Sequence, residues 1–274
     1  MRVGLVAQKG NHQAAYLAAD IEQALSHKDL EIWFDTTTAN VVDKSGVEID
    51  SFDDCDLVIC IGGDGTFLYA ARHIGATPIM GVNLGEVGFL NTVPPEEAIE
   101  TTEEIVTEFL ETGDIPVHTI PRIQAIGNEW DLTPVINEIV IQGPQRGAGF
   151  NIGFEVRIDG SLYTGGYADG ILVATPTGSS AYNLSEGGPL VRPGTDQIVI
   201  NDMCAQNPMP PLVVHNSNTI SVYIEDCSEG VVIGDGNVQR RVSPPTEIEV
   251  IKADTSVHIA GPEGDFFQSL KKLE

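Results

Sequence analysis

A chain of 274 residues is long for one core and comfortable for two domains. Forty acidic against fourteen basic residues leave a formal charge of −26, which excludes a broad nucleic-acid face, because phosphates are met with clustered Lys and Arg. The 42% apolar and 20% charged composition is that of a globular protein with real cores. With no apolar run of about 18 residues and no basic start leading into an apolar segment, a cytoplasmic protein without membrane contact is expected.

In chain order, Arg2–Ala7 reads as a short apolar strand, and His12–Lys28 places Ala15, Ala18, Ala19, Ile21 and Leu25 at helical spacing. Leu30–Phe34 and Asp56–Ile61 are further strands. Thr66–Ile74 is a helix stopped by Gly75, and Thr77–Val82 a fourth strand. Pro94-Pro95 opens another helix, whose Glu96, Glu97, Glu100, Glu103 and Glu104 suit its N-terminal dipole, and Gly113 ends it. Strands alternating with helices predict a parallel sheet covered on both faces, an α/β domain over 1–114. After Ile115 short β runs follow one another: Arg122–Ile126, Val135–Ile141, Asn151–Ile158, Ile171–Ala174, Thr219–Ile224, Gly230–Ile233 and Ile248–Ile251. Only Ser180–Ser185 looks helical among them, so 115–251 is expected to be all-β, a sandwich. In the tail, 252–274, Phe266, Leu270 and Leu273 return to helical spacing and are expected to pack back on the first domain.

The four cysteines, Cys55, Cys60, Cys204 and Cys227, form no CxxC pair and are expected to be packed thiols, with no metal site. The acids are scattered through foldable segments, and only six of the fourteen cations are Lys. That balance fits a protein whose solvent is itself molar salt, where the Debye length falls to about 3 Å and mutual repulsion is screened.

Gly62–Thr66, GGDGT, follows a strand and opens a helix, where bare backbone and a helix N-terminus can receive phosphate oxygens. No GxxxxGK[ST] occurs, and Leu68 stands where the dinucleotide fingerprint needs its third glycine. Asp64 would repel a phosphate, so it is expected either to hold Mg²⁺ or to accept the proton of an attacking hydroxyl. Either suits phosphoryl transfer, whose catalysis is mostly positioning and charge neutralisation. A second stretch, Asp169–Pro189 (DGILVATPTGSSAYNLSEGGP), ends a strand in a run of hydroxyls, Gly and Pro. Ser179 there lies in no GxSxG elbow, which argues against covalent catalysis. Asn137-Glu138 interrupt an apolar strand with a carboxylate beside an amide, the pair a ribose diol needs, although an edge polar pair would look the same.

In this order GGDGT, GVNLGEVGFL (Gly81–Leu90), the Asn137-Glu138 pair, the TPTGSSAY…GGP segment and GDGN (Gly234–Asn237) resemble the NAD kinases over nearly the whole chain. GGDGT alone is shared with lipid and sugar kinases; the longer segment is much more specific. The resemblance implies a kinase that phosphorylates the adenosine-ribose 2′-hydroxyl of NAD, with Mg²⁺ and ATP, and a likeness in fold to diacylglycerol kinases. It implies that Asp64 orients and deprotonates that hydroxyl, that Gly63, Gly65 and Thr66 neighbour the diphosphate and ATP, and that Phe89 lines the adenine pocket. Asn137 and Glu138 would grip the ribose. Asp169 would stand near the nicotinamide, Thr177 and Ser180, Ala181, Tyr182, Asn183, Leu184 and Ser185 would wrap the dinucleotide, and Asn237 stands where the family commonly has Gln. The chain departs from the family at Tyr167, often basic there, at Glu86, and at Asn207–Val214, which replaces a Ser-Arg-Pro stretch. Scarce cations leave the donor open between ATP, another nucleoside triphosphate and polyphosphate, with Arg72 or Arg146 as candidate phosphate partners. A homodimer or homotetramer is expected. Two competing readings remain: another GGDGT kinase, against which the acidic surface argues, and an NAD-binding regulator that lost transfer, against which Asp64 argues.

Overall fold

The computed structural model describes residues 1–85, 88–145 and 151–271, and the chain divides into two compact units, Met1–Thr119 with Val257–Glu274, and Ile120–Ser256. The first unit runs β1 (Arg2–Ala7), α1 (His12–Leu25), β2 (Glu31–Asp35), α2 (Thr36–Val42), β3 (Gly46–Val47), β4 (Leu57–Gly62), α3 (Asp64–His73), β5 (Ile79–Asn83) and α4 (Ala98–Thr112). Its strands are parallel in the order β3-β2-β1-β4-β5. β1 and β4 are buried almost end to end, as strands covered on both faces must be, and α1 turns Ala14, Ala15, Ala18, Ile21 and Leu25 inward. Gly113, at φ +78°, ends α4 in the left-handed conformation that glycine adopts without strain.

Helix α2 is absent from the sequence reading, because Thr-Thr-Thr-Ala-Asn-Val-Val is rich in β-branched residues and has weak intrinsic helicity. Asp35 overrides that preference. Its carboxylate caps the helix by accepting from the Thr37 and Thr38 N–H groups, and the Thr38 hydroxyl in turn accepts from the Ala7 N–H at 2.8 Å.

The second unit takes in β6 (Val117–Gly127), which begins in the first, then β7 (Trp130–Asp131), β8 (Glu138–Gln142), β9 (Ile152–Ile158), β10 (Ser161–Ala168), β11 (Gly170–Ala174) and the one-turn helix α5 (Tyr182–Ser185). It continues with β12 (Gln197–Met203), β13 (Leu212–His215), β14 (Ile220–Glu225), β15 (Gly230–Gly234), β16 (Val238–Val242) and β17 (Thr246–Ala260). β13-β12-β11-β8-β15-β16 form one antiparallel sheet, and β10-β9-β14-β17 pair antiparallel in another. Inward residues of both, among them Ile139, Ile141, Ile171 and Val173 against Val156, Val222 and Ile248, make a single sandwich core. Strands β10, β12, β13 and β16 are absent from the sequence reading; glycines dilute the pattern of β10 and charges that of β16, and the apolar stretches of β12 and β13 are only three residues long.

The end of β17 belongs to the first unit, where Ile259 pairs with Ile79, and a short helix, α6 (Phe266–Leu270), follows. Leu273 lies outside the described residues. No helix among the described residues is long and apolar enough to cross a membrane. All four cysteines are free; Cys55 and Cys60 are buried, but Cys204 is exposed and Cys227 half-buried, so only the first two are packed as expected.

Candidate active site

In the first unit the chain leaves β1 for β2 on one side, whereas β4 lies on the other. The strand order therefore reverses between β1 and β4, and ligands of open parallel sheets bind outside the strand ends at such a point. A cavity of about 350 Å³ lies there, lined by Ala7, Gln8, Lys9, Asp35, Thr37, Gly65, Thr66 and Tyr69. Helices α1 and α2 begin with side-chain caps, Asn11 and Asp35, which accept from their first N–H groups. Helix α3 begins at Gly63 with no side-chain cap, leaving its N-terminal amides for a ligand. Lys9, exposed at the end of β1, is the one cation among the lining residues. Sequence reasoning passed over it. Its signal is its place directly after the first strand of a parallel sheet. Arg72, proposed instead, lies in the last turn of α3, eight residues from Asp64 and so about 12 Å along the helix from the Gly-rich turn. Arg146 and Glu86 lie outside the described residues.

Asp64, the first residue of α3, is half-buried. Its Oδ2 accepts from the Phe89 N–H at 3.0 Å, and its Oδ1 from Leu90 and Asn91 at 3.2 and 3.3 Å. The acid thus braces the loop after β5, a task invisible in the sequence. A carboxylate offers about four lone-pair directions, so Oδ2, with one bond, retains room for a hydroxyl donor. Asn91 completes the brace by donating to the Gly62 carbonyl at 2.9 Å. The Phe89 ring packs against Phe266 of α6, centroids 6.1 Å apart.

The second constellation is in the second unit. Glu138 opens β8 and shares a face with Val140, beneath a small core of Leu172, Ala174, Val191 and Val199 with Tyr182 packed against it. Of the Asn137-Glu138 pair it is the acid that turns inward, 7% exposed, while Asn137 is half-buried. One Glu138 oxygen is held by the Tyr182 N–H; Oε2 is buried without a hydrogen-bond partner. Burial, with the Asp235 charge adding to it, pushes the carboxyl up to about 8.

The Thr175–Tyr182 segment lies directly on this pair. Thr175 donates its N–H to the Asn137 carbonyl at 2.9 Å and its hydroxyl to that of Ile136 at 2.6 Å. Gly178 is required here: a Cβ would stand 2.1 Å from the Asn137 carbonyl oxygen. Ser179 is fully buried and bonded to Pro176 and Val191, which agrees with its having no nucleophilic role. Thr177 is buried, Ser180, Ala181, Tyr182 and Leu184 are half-buried, and Ser185 is exposed. Asn183 is fully buried, and both its amide hydrogens go to the Ser179 and Pro189 carbonyls. Its side chain braces the segment through both donors, and its Oδ1 is buried without a hydrogen-bond partner, an acceptor left for a ligand.

Two expected residues stand apart. Glu138 pairs with Ala174 at one end of β11, whereas Asp169 precedes Gly170 at the other, five residues or about 17 Å away along the strand. Tyr167 lies beyond it on β10, its hydroxyl donating to Asp226 at 2.8 Å. Asn237 is exposed and donates to the Asp235 carbonyl at 3.3 Å, closing its own turn. Among the described residues no three or more His, Cys, Asp or Glu side chains converge to hold a metal ion.

The raised Glu138 carboxyl has a consequence for stability. Between the ordinary carboxyl range and about 8 the folded protein keeps a proton that the unfolded chain has released, so stability falls as pH rises through that window. Glu138→Gln is expected to flatten this slope between pH 5 and 8, as read by chemical denaturation. An unchanged slope would show that Glu138 ionises normally.

Residues 3–109 match the family model of the ATP-NAD kinase N-terminal domain, and residues 136–261 that of its C-terminal domain. The chain is 49% identical to NAD kinases of Halobacterium salinarum, over 282 residues, and Halorubrum lacusprofundi, over 275, covering the full length of both partners in each case. The fold matches a crystal structure of an NAD kinase from Archaeoglobus fulgidus in complex with ATP, with a TM-score of 0.79, 24% identity and full coverage of both chains. It also matches a yeast NADH kinase complexed with NADH, with a TM-score of 0.88 and 22% identity over all of this chain and 87% of that one.

Proposed function

The chain belongs to the NAD kinase family, and from that premise we infer that it phosphorylates NAD to NADP, moving the γ-phosphoryl group of ATP to the 2′-hydroxyl of the adenosine ribose. The observation that carries the reading is the succession of both family domains along one chain, with full-length relatives at 49% identity. The site geometry supports it residue by residue. The uncapped start of α3 and Lys9 suit the donor phosphates, with Gly63, Gly65 and Thr66 supplying bare backbone and a hydroxyl. The second Oδ2 lone pair of Asp64 takes the proton of the attacking hydroxyl, and the negative charge helps orient it. The buried, unpartnered Oε2 of Glu138 suits a ribose hydroxyl, and the half-buried Asn137 amide can both donate to and accept from its neighbour.

Among the described residues no three or more His, Cys, Asp or Glu side chains converge into a cage for Mg²⁺. The ion enters with the donor phosphates, as it commonly does. The protein works in the cytoplasm as a homo-oligomer of two or four chains.

Incubation of the protein in high KCl with Mg²⁺, ATP and NAD, followed by an NADP-specific dehydrogenase assay, tests the reading; absence of NADP overturns it. The donor assignment makes a separate prediction. Lys9→Ala is expected to raise the KM for ATP about fivefold, as an exposed charge contact worth about 1 kcal/mol would, and to leave the KM for NAD unchanged. Replacing ATP by polyphosphate in the same assay distinguishes the donors.

A further inference from the structure

The second Gly-Asp-Gly turn contains an acid that sequence reasoning passed over in favour of Asn237. Asp235 Oδ1 accepts from the backbone N–H groups of Asn137 at 2.8 Å and Glu138 at 3.2 Å, and Oδ2 accepts from Ile136 at 3.0 Å. Its own N–H donates to the Glu138 carbonyl at 3.0 Å. Thr175 takes the two remaining carbonyls, those of Ile136 and Asn137. All six backbone polar groups of residues 136–138 are therefore satisfied by two residues, Asp235 and Thr175, which leaves the Asn137 and Glu138 side chains for other work.

This bracket resembles the one in the first unit, where Asp64 accepts from three consecutive N–H groups at 89–91. It places Asp235 in the left-handed region at φ +45°, which a short acidic side chain tolerates better than most. The Asp235 charge is supported by the buried Arg122 guanidinium. Directly beyond the bracket lies the buried Glu138 Oε2 with no protein partner, carried on a main chain whose polar groups are all bonded.

We propose that Asp235 is the positioning residue of the acceptor site: it holds the 136–138 main chain so that Asn137 and Glu138 meet the two vicinal hydroxyls of a ribose, while touching no substrate itself. This rests on the NAD kinase reading and adds to it a residue on which acceptor recognition depends at second hand.

Steady-state kinetics of Asp235→Ala and Asp235→Asn in high KCl, with NAD and ATP varied separately, test it. Asp235→Ala is expected to raise the KM for NAD tenfold or more and to move the KM for ATP less than twofold. In Asp235→Asn the amide oxygen can still accept from Asn137 and Glu138, so most of the NAD affinity should return. An NAD KM within twofold of wild type in both variants overturns the proposal, as does a parallel rise of both KM values. If the alanine variant does not fold, the asparagine variant decides alone. It should raise the NAD KM by a few-fold without moving the ATP KM; an NAD KM within twofold of wild type, or an equal rise in both, overturns it. Wild-type protein that neither binds NAD in calorimetry nor forms NADP would instead overturn the kinase reading, so the two failures are distinguishable.

Discussion

Asp64→Asn is expected to lower kcat at saturating NAD by roughly 10²–10⁴-fold, the range a positioned general base supplies. The substitution keeps the shape of the side chain. Its amide oxygen can still accept from Leu90 and Asn91, as Oδ1 does now, but its amide nitrogen would face the Phe89 N–H, donor against donor. The loop after β5 would loosen at Phe89 at a cost of about 1–3 kcal/mol, which shows as a drop of several degrees in Tm. NAD affinity should change little. The two duties of the acid are separable, because bracing is read in the melt and proton transfer in kcat. A variant that loses several degrees but turns over at nearly the wild-type rate would make Asp64 a brace alone. The proposed chemistry would then need another base.

Folding itself is expected to require salt. Among the described residues few acids have a cation beside them. The ion pairs Arg2–Glu31, Lys44–Glu22, Arg157–Glu155 and Arg241–Glu229 all lie at the surface, where each contributes little. The remaining repulsion reaches about 30 Å in 0.01 M salt and about 3 Å at 1 M. Tm should therefore climb with KCl well into the molar range. The two units are unequally charged: the first holds twenty-four acids against seven cations, the second sixteen against seven. At low salt the first unit should melt before the second, giving two transitions in calorimetry that merge as KCl rises. A Tm that stays flat across the salt range would remove this account of the charge.

The alternation of the first unit, the β character of the second and the turn at GGDGT are legible in the residue pattern alone. These rest on local causes: periodicity within one element, a Gly or Pro at its end, bare backbone between a strand and a helix. The pattern also marked Asn137 and Glu138, because a carboxylate and an amide in an apolar strand stand out without any partner. Only the tertiary structure decided what these residues touch. Asp64 reaches a loop twenty-five residues on and Asp235 a strand start ninety-eight residues back, and no local pattern records so distant a hydrogen bond. For the same reason α2 was invisible, since its Thr-rich run is helical through the Asp35 cap and the bond from Ala7. Asn183 reads as a ligand contact, and the fold adds a bracing duty, because its two donors are spent on neighbouring carbonyls while its Oδ1 is left without a partner. Residue type shows what chemistry is possible at a position. Which of it remains free for a substrate depends on the hydrogen bonds that folding has already made.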